Sequence, residues 1–437
     1  MKNLKYTIEY LIYLLIFLLP WQTRWIYKPA EINGGYYEYG TLSLYGTEIL
    51  LGLIVLLTII FVYTKISLKN NNFSGKRLLL ALLVVMVAIL SILLAQNQEL
   101  AINKISQFAL GGALIAVFLV IKPRLLNIAY VFVASTVVQS ILAIQQFVTQ
   151  QVGANKWLGM ASQKPEILGT PIIESNGERI LRSFGSLPHP NILGGMLIIG
   201  LLFIIYIYSK EKNLLAKYLL VIGFMLNSIA LFFCFSRSAM LALLMSLAFF
   251  YFLVIKMKFE RLKSVGNKFL LIFLMVFMIF SAFNFDLTQT RITGFARLEQ
   301  KSTEERLSGY NDALQIFKNN WLAGVGPGNY TESLKSLTPD QPSWYYQPTH
   351  NSIILLTVEF GIGGGLLFCL SIYWLIKNTF FDKKKKINEE NLIFVISWFG
   401  LLVISLFDHY LYSFWVGNLL FFSSCAIVLQ TLLTKNN

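Results

Sequence analysis

The chain has 437 residues, of which 56% are hydrophobic and only 13% charged, and its formal net charge is +14. A soluble domain carries nearer a quarter charged residues, so a water-soluble globular class is excluded. The positive charge admits two readings, nucleic-acid binding or the Lys- and Arg-rich cytoplasmic loops of a membrane protein, and position along the chain separates them.

In chain order the apolar blocks run approximately 6–20, 42–63, 78–95, 105–121, 125–148, 191–208, 218–235, 239–255, 269–285, 352–376, 391–407 and 411–432. Each approaches the roughly 20 residues that cross a bilayer core. None alternates with the period of an outer-membrane barrel strand. Backbone groups in lipid must pair within their own segment, which makes the blocks helices. The first block has the look of a signal peptide, but Pro20-Trp21-Gln22-Thr23-Arg24 offers no small-residue cleavage site, so we read it as a retained span.

With the N-terminus placed inside and the blocks alternating, inner segments hold 22 of the 36 basic residues, among them Lys65, Lys69, Lys76, Arg77, Lys122, Arg124, Lys383 to Lys386 and Lys435. Most of the others fall in two long outer segments, whose charge hardly influences orientation. Both termini are therefore expected in the cytoplasm, and no nucleic-acid partner is needed to explain the charge. The expected fold is all-α: a polytopic transmembrane bundle of about twelve spans in contact with the lipid bilayer, treated as one domain over 1–437.

The outer segments are about 149–190 and 286–350. The second contains a predicted helix, Ser302 to Asn319. Ser302 and Glu305 have capping-box spacing there, and Leu307, Tyr310, Leu314 and Phe317 share one face. A turn through Gly324 to Tyr330 follows. The aromatics Trp321, Tyr330, Trp344, Tyr345 and Tyr346 point to an ordered loop, and long ordered loops are usually functional.

All three histidines, His189, His350 and His409, fall at outer ends of spans. Histidine suits proton transfer near neutral pH, although a polar residue at a helix end is an equally ordinary use. We favour the ordinary use for His409 and function for His350, which is followed by Asn351 at a span start. Among the arginines, Arg182 opens the stretch that holds His189 and Asn191, and Arg237 sits in a short outer hairpin. Arg306 is expected near the first turn of the loop helix, where a cation opposes the helix dipole. There it could join free backbone N–H groups in holding an anion, its fork matching phosphate oxygens. Ion pairs with Glu305 or Asp312 are the alternative. Glu359 lies nine residues past His350, roughly 13 Å deeper at 1.5 Å per residue. At that depth a carboxyl marks either a functional site or a hydrogen bond to a neighbouring helix. Gly361 and Gly365 have the spacing that lets two membrane helices approach.

The glycine run Gly324 to Gly328 follows no strand and is neither a dinucleotide fingerprint nor a P-loop. No His/Cys cluster has metal-ligand spacing and no serine sits in an elbow motif. Cys234, Cys369 and Cys425 lie in apolar blocks and read as packing residues. Neither metal nor cofactor is expected.

Four segments together resemble the O-antigen ligase and O-antigen polymerase family of membrane glycosyltransferases. They are RSFGSLPHPNILGG from Arg182, SRSA from Ser236, ERLSGYNDALQIFKNNWLAGVGPGNY from Glu305, and HNSIILLTVEFGIG from His350. They occur in the family's order within the second half of the chain. The resemblance implies transfer of a glycan from an undecaprenyl diphosphate carrier to an acceptor hydroxyl, on the outer face of the bacterial inner membrane. The acceptor would be a lipid A–core sugar in a ligase, another carrier-linked glycan in a polymerase, or a protein in an oligosaccharyltransferase. By the same resemblance Arg237 and Arg306, with Arg182, would bind the diphosphate, and His350 would take the acceptor's proton. His189, Asn191, Asn351, Glu359 and His409 would support them. A lipid-linked oligosaccharide flippase or transporter is the reading from another class, but it should place its polar groups near the midplane in two related halves. Here they gather at one rim, and a ligase-like transferase is the favoured reading.

Overall fold

The computed structural model of the protein describes residues 2–66, 85–380 and 388–433. The third apolar block lies partly outside these, as do Lys69, Lys76, Arg77, Lys383 to Lys386, Lys435 and the side chain of Lys65. The described helices, in chain order, are α1 (Lys2–Phe17), α2 (Gly46–Ile66), α3 (Gln98–Ile121), α4 (Leu125–Thr149), α5 (Pro190–Lys210), α6 (Leu214–Cys234), α7 (Arg237–Lys256) and α8 (Glu260–Phe283). Then come α9 (Phe285–Thr293), α10 (Arg297–Asn319), α11 (Tyr330–Leu337), α12 (Ser352–Phe380), α13 (Glu389–Ser405), α14 (Tyr410–Ser413) and α15 (Trp415–Leu433).

Nine of the described helices are long and apolar enough to cross a membrane. Two further expected blocks form α1 and α13, at 16 and 17 residues. The bundle is polytopic and helical, as the block lengths require. Helix α5 is its axis: 94% of its apolar window is buried inside the protein, against 22% for α8 at the rim. Several helices start earlier than the apolar blocks, because hydropathy marks entry into lipid while the helix begins in the polar interface. Asn97, for example, caps α3 by accepting from the Glu99 and Leu100 N–H groups. Lys104 is thereby drawn inside α3, where it is buried and donates to the carbonyls of Tyr412 (3.1 Å) and Ser413 (2.9 Å).

The alternating topology sends six connections to one face, and they pack on one another. Three small antiparallel hairpins, unanticipated in the sequence, lie in these connections: Arg24–Lys28 with Leu42–Tyr45, Glu31–Ile32 with Gly35–Tyr36, and Ile172–Ser175 with Glu178–Leu181. Asn33 donates to the carbonyls of Pro339 and Gln341, each at 2.7 Å. The Asn97 N–H donates to Asn329 Oδ1 at 2.6 Å, and Arg297 pairs with Glu174 at 2.9 Å. The result is an ordered cap on the loop-bearing face.

Gly361 breaks α12 with φ 69 and ψ −177. The strand of loop at 321–326 satisfies the groups released by the break. The Val325 and Gly326 N–H groups donate to the carbonyls of Val358 (3.1 Å) and Glu359 (3.0 Å), and Ile362 N–H donates to Trp321 (2.8 Å). A Cβ on Gly361 would overlap the Leu322 carbonyl, and one on Gly324 would overlap that of Glu359. So Gly361 serves close approach of a loop, not of a second membrane helix, and Gly365 faces Thr357 of its own helix across the break. The Glu359 carboxylate completes the arrangement by accepting from Gly328 N–H, Tyr330 N–H and the Tyr412 hydroxyl. Its role is to fasten the glycine-rich loop into the bundle. Gly361→Ala combines a left-handed backbone with overpacking and is expected to cost at least about 1–3 kcal/mol. An unfolding midpoint equal to that of the parent protein would refute this.

Candidate functional site

The side chains singled out in the sequence come from four connections of the cap. Arg182 follows the Glu178–Leu181 hairpin strand and is buried. Its Nε donates to the Cys234 carbonyl at 2.8 Å and its terminal nitrogen to Asn191 Oδ1 at 2.7 Å. Asn191 in turn donates to Asp408 Oδ2 at 2.7 Å. His189 caps α5, its Nδ1 accepting from Asn191 N–H at 3.1 Å. Asn191 is thus a bridge between a cation and a carboxylate, and His189 is occupied as a cap.

Arg237 heads α7 after a left-handed turn at Phe235. It pairs with Glu299 at 3.3 Å. Arg291, on α9, pairs with the same buried carboxylate and donates from Nε to the Phe235 carbonyl at 2.7 Å. These tertiary ion pairs engage the first turn of α10. They explain why that helix begins at Arg297, five residues before the expected Ser302. The capping box does not form, since Ser302 lies inside the helix and Ala296 is at the cap. Arg306 consequently sits nine residues into α10, away from the helix start, so the free terminal N–H groups expected beside it are not there. What remains is a half-buried guanidinium whose Nε is shielded from solvent without a hydrogen-bond partner. Among the described residues no carboxylate reaches it within ion-pair distance, neither Glu305 nor Asp312.

His350 immediately precedes α12. Tyr310 of α10 donates to its carbonyl at 3.5 Å, a long bond. Asn351 is structural: its Oδ1 caps α12 by accepting from Ile353 and Ile354 N–H, and its amide donates to the Leu406 carbonyl. The His350 ring is about a quarter exposed, and its buried Nδ1 has no hydrogen-bond partner. That nitrogen lies 4.0 Å from Asp408 Oδ1. The carboxylate is beyond hydrogen-bond reach, but its field favours the tautomer with hydrogen on Nδ1, which leaves Nε2 as the proton acceptor. The ring of buried His409 is 5.2 Å away, with its own Nδ1 2.7 Å from Ser413 Oγ. His409, read from sequence as an interfacial residue, belongs to this cluster.

Burial, then the nearby Arg182, takes the His189 pKa down to about 3. Burial, then His350, does the same to His409. Burial also lowers His350, Asp408 opposing and Arg306 reinforcing the effect. All three rings are therefore neutral at pH 7. A histidine that resists protonation when folded lends stability above its unfolded pKa near 6.5, and this is lost as pH falls toward the folded values. The unfolding midpoint should drop between pH 7 and pH 4.5, and a midpoint that holds constant over that range would contradict the assignment. Burial lowers Arg182 to about 9, with Arg291 adding repulsion, so it stays charged at neutral pH. Burial opposes ionisation of Asp408, but His409, His350, His189 and the Asn191 hydrogen bond together hold its pKa below the ordinary value.

Asp408, Arg291 and Glu299 were not among the residues singled out. Asp408 stands next to His409 in the sequence, a carboxyl beside a histidine at a span end, and that adjacency was the available clue. Asp408→Asn keeps the bond from Asn191 within reach but removes the charge facing His350. Since Asp408 raises the His350 pKa, activity should fall about 10- to 100-fold with its acid limb displaced to lower pH. An unmoved limb would exclude this positioning role. Ligand atoms of His350, Asp408 and His409 also lie within 4.8 Å of one another. A divalent ion could draw on all three, a proximity that no sequence spacing announces. The aromatics divide: Tyr346 is buried with its hydroxyl donating to the Thr338 carbonyl at 2.6 Å, whereas Trp344 is exposed beneath Lys301.

The fold and site together define a polytopic helical membrane protein with one ordered face, on which a group of guanidiniums adjoins a histidine–aspartate cluster. Residues 222–369 match the family model described as O-antigen ligase. That match supports a likeness to the O-antigen ligase and polymerase family over this stretch, a family of membrane enzymes with glycosyltransferase-like activity. The matched stretch contains Arg237, Arg291, Arg306 and His350; Arg182, His189, Asn191 and the Asp408–His409 pair lie outside it. No curated protein gives a significant match to the chain.

Proposed function

We propose that the protein is an O-antigen ligase-like glycosyltransferase. It moves a glycan from undecaprenyl diphosphate to an acceptor hydroxyl, such as that of a lipid A–core sugar, on the outer face of a bacterial inner membrane. Both termini are then cytoplasmic and the loop-bearing face is the outer one. The observation that carries this reading is the unpartnered Arg306 guanidinium close enough to His350 to disfavour its protonation.

In the reaction, His350 Nε2 takes the proton of the acceptor hydroxyl while that oxygen bonds to the anomeric carbon of the donor sugar. The bond from that carbon to the diphosphate oxygen breaks, and its electron pair stays on the carrier. Negative charge thus grows on the diphosphate, where Arg306, Arg237, Arg291 and the more buried Arg182 provide fixed positive charge. The proton then leaves His350 for solvent and the base is reset. No metal or cofactor has a step in this scheme.

Purified protein incubated with carrier-linked glycan and alternative acceptors tests the proposal. A single transfer to a lipid-core acceptor is expected. Ladders of carrier-linked glycan would mark a polymerase, transfer to a polypeptide an oligosaccharyltransferase, and loss of activity on chelation would refute the metal-free scheme.

A further inference from the structure

Several charged groups of the cap form a connected series of contacts. At one end Arg237 and Arg291 share Glu299. Arg182, Asn191 and Asp408 lead from there to His350, and His350 is followed by His409. Beyond His409 the chemistry changes. Its ring lies against Tyr39 (centroids 6.0 Å apart) and stacks on Phe414 (6.2 Å). Both aromatics, with Arg24 and Glu38, line a groove of about 300 Å³ between the N-terminal hairpin and the 152–188 segment. Gln22 and Gln163 also line it, their amides bonded to the Pro20 carbonyl and the Thr170 hydroxyl.

That groove mixes apolar and aromatic walls with a few polar groups and is close to neutral. Arg24 and Glu38 form a bidentate pair at 2.6 and 2.9 Å, so the guanidinium charge is cancelled where it stands. A diphosphate would find no net attraction here, in contrast to the arginine end. Aromatic faces with amide and paired-ion hydrogen-bonding groups around them suit a pyranose, which offers C–H faces and a rim of hydroxyls. Its volume is within the range of small-ligand pockets.

We propose that this groove is the acceptor subsite and takes a neutral sugar, placing the acceptor hydroxyl on the His409 side of His350 while the donor diphosphate occupies the arginine side. The inference rests on the transferase reading above, and it adds a division of labour: the two substrates approach one histidine from the two ends of that series of contacts. Tyr39 is the specificity-bearing side chain, because it contributes a ring both to the groove and to His409.

The test is binding of a panel of methyl glycosides of neutral hexoses to the full-length protein in nanodiscs, read by saturation-transfer NMR, with inorganic pyrophosphate as the probe for the arginine end. At least one glycoside should bind. Tyr39→Ala should weaken that binding tenfold or more, and Tyr39→Phe should restore it. Pyrophosphate should neither displace the glycoside nor bind the Tyr39→Ala protein differently, and this second measurement also reports that the variant is folded. Absence of binding by every glycoside, displacement by pyrophosphate, or binding that survives Tyr39→Ala would overturn the acceptor subsite. Those outcomes leave the transferase reading standing, since that is decided separately by glycan transfer in the parent protein.

Discussion

His350→Ala is expected to insert and fold like the parent protein while glycan transfer falls by a factor on the order of 10² to 10⁴, the range that general-base catalysis supplies. The fold should tolerate the change because the buried Nδ1 makes no hydrogen bond and Asp408 stands 4.0 Å away. The cap around it is held by other groups, including Asn351 at the start of α12 and Ser352, whose hydroxyl donates to the Asp408 carbonyl at 2.8 Å. The direction of the pH dependence is also determined. Burial lowers the His350 pKa, so the free base predominates at neutral pH and activity should decline only below the ordinary histidine range. Measuring initial rates of transfer from carrier-linked glycan across pH 5 to 8 would check both points. Full activity in the alanine variant would remove His350 as the base.

Arg306→Lys should lower kcat/KM by about 10²-fold, toward the range seen when one preorganised donor to a developing oxyanion is removed. The other arginines are engaged by the fold. Arg182 donates to Cys234 and Asn191, while Arg237 and Arg291 are clamped by Glu299. Replacing any of these mixes catalysis with stability. Arg306 has no such duty among the described residues, so its loss should leave the unfolding midpoint unchanged. Lysine keeps the charge but replaces the planar fork by a point charge, which makes the substitution a test of geometry. Unchanged kcat/KM would show that the bidentate fork is not required.

Much of the molecule is legible in the sequence. Eleven of the twelve apolar blocks correspond to described helices and the third lies partly outside the described residues, while the loop helix is legible over most of its length. These features are local: twenty apolar residues in lipid must form a helix whatever surrounds them. Boundaries were less legible where distant groups decide them. Helix α10 begins at Arg297 because Glu299 is held by Arg237 from another connection and by Arg291 from the preceding helix α9, which nothing within 295–310 reveals. Glu359 stood out by its depth, but its partners Gly328, Tyr330 and Tyr412 come from separate parts of the chain.

By itself the sequence determined that the chain is a many-span helical membrane protein, with His350 and the arginines gathered at one rim. Span length, hydropathy and alternation of sides are sufficient for that. Only the tertiary structure decided which groups meet. It brought Asp408 and His409 to His350, made Asn191 the link to Arg182, turned Gly361 into a helix break, and set the Tyr39 hairpin beside the histidines. The reason is physical. Alternation dictates the face on which a residue emerges, but its neighbours on that face depend on how the helices pack around α5, and packing is a property of the whole chain.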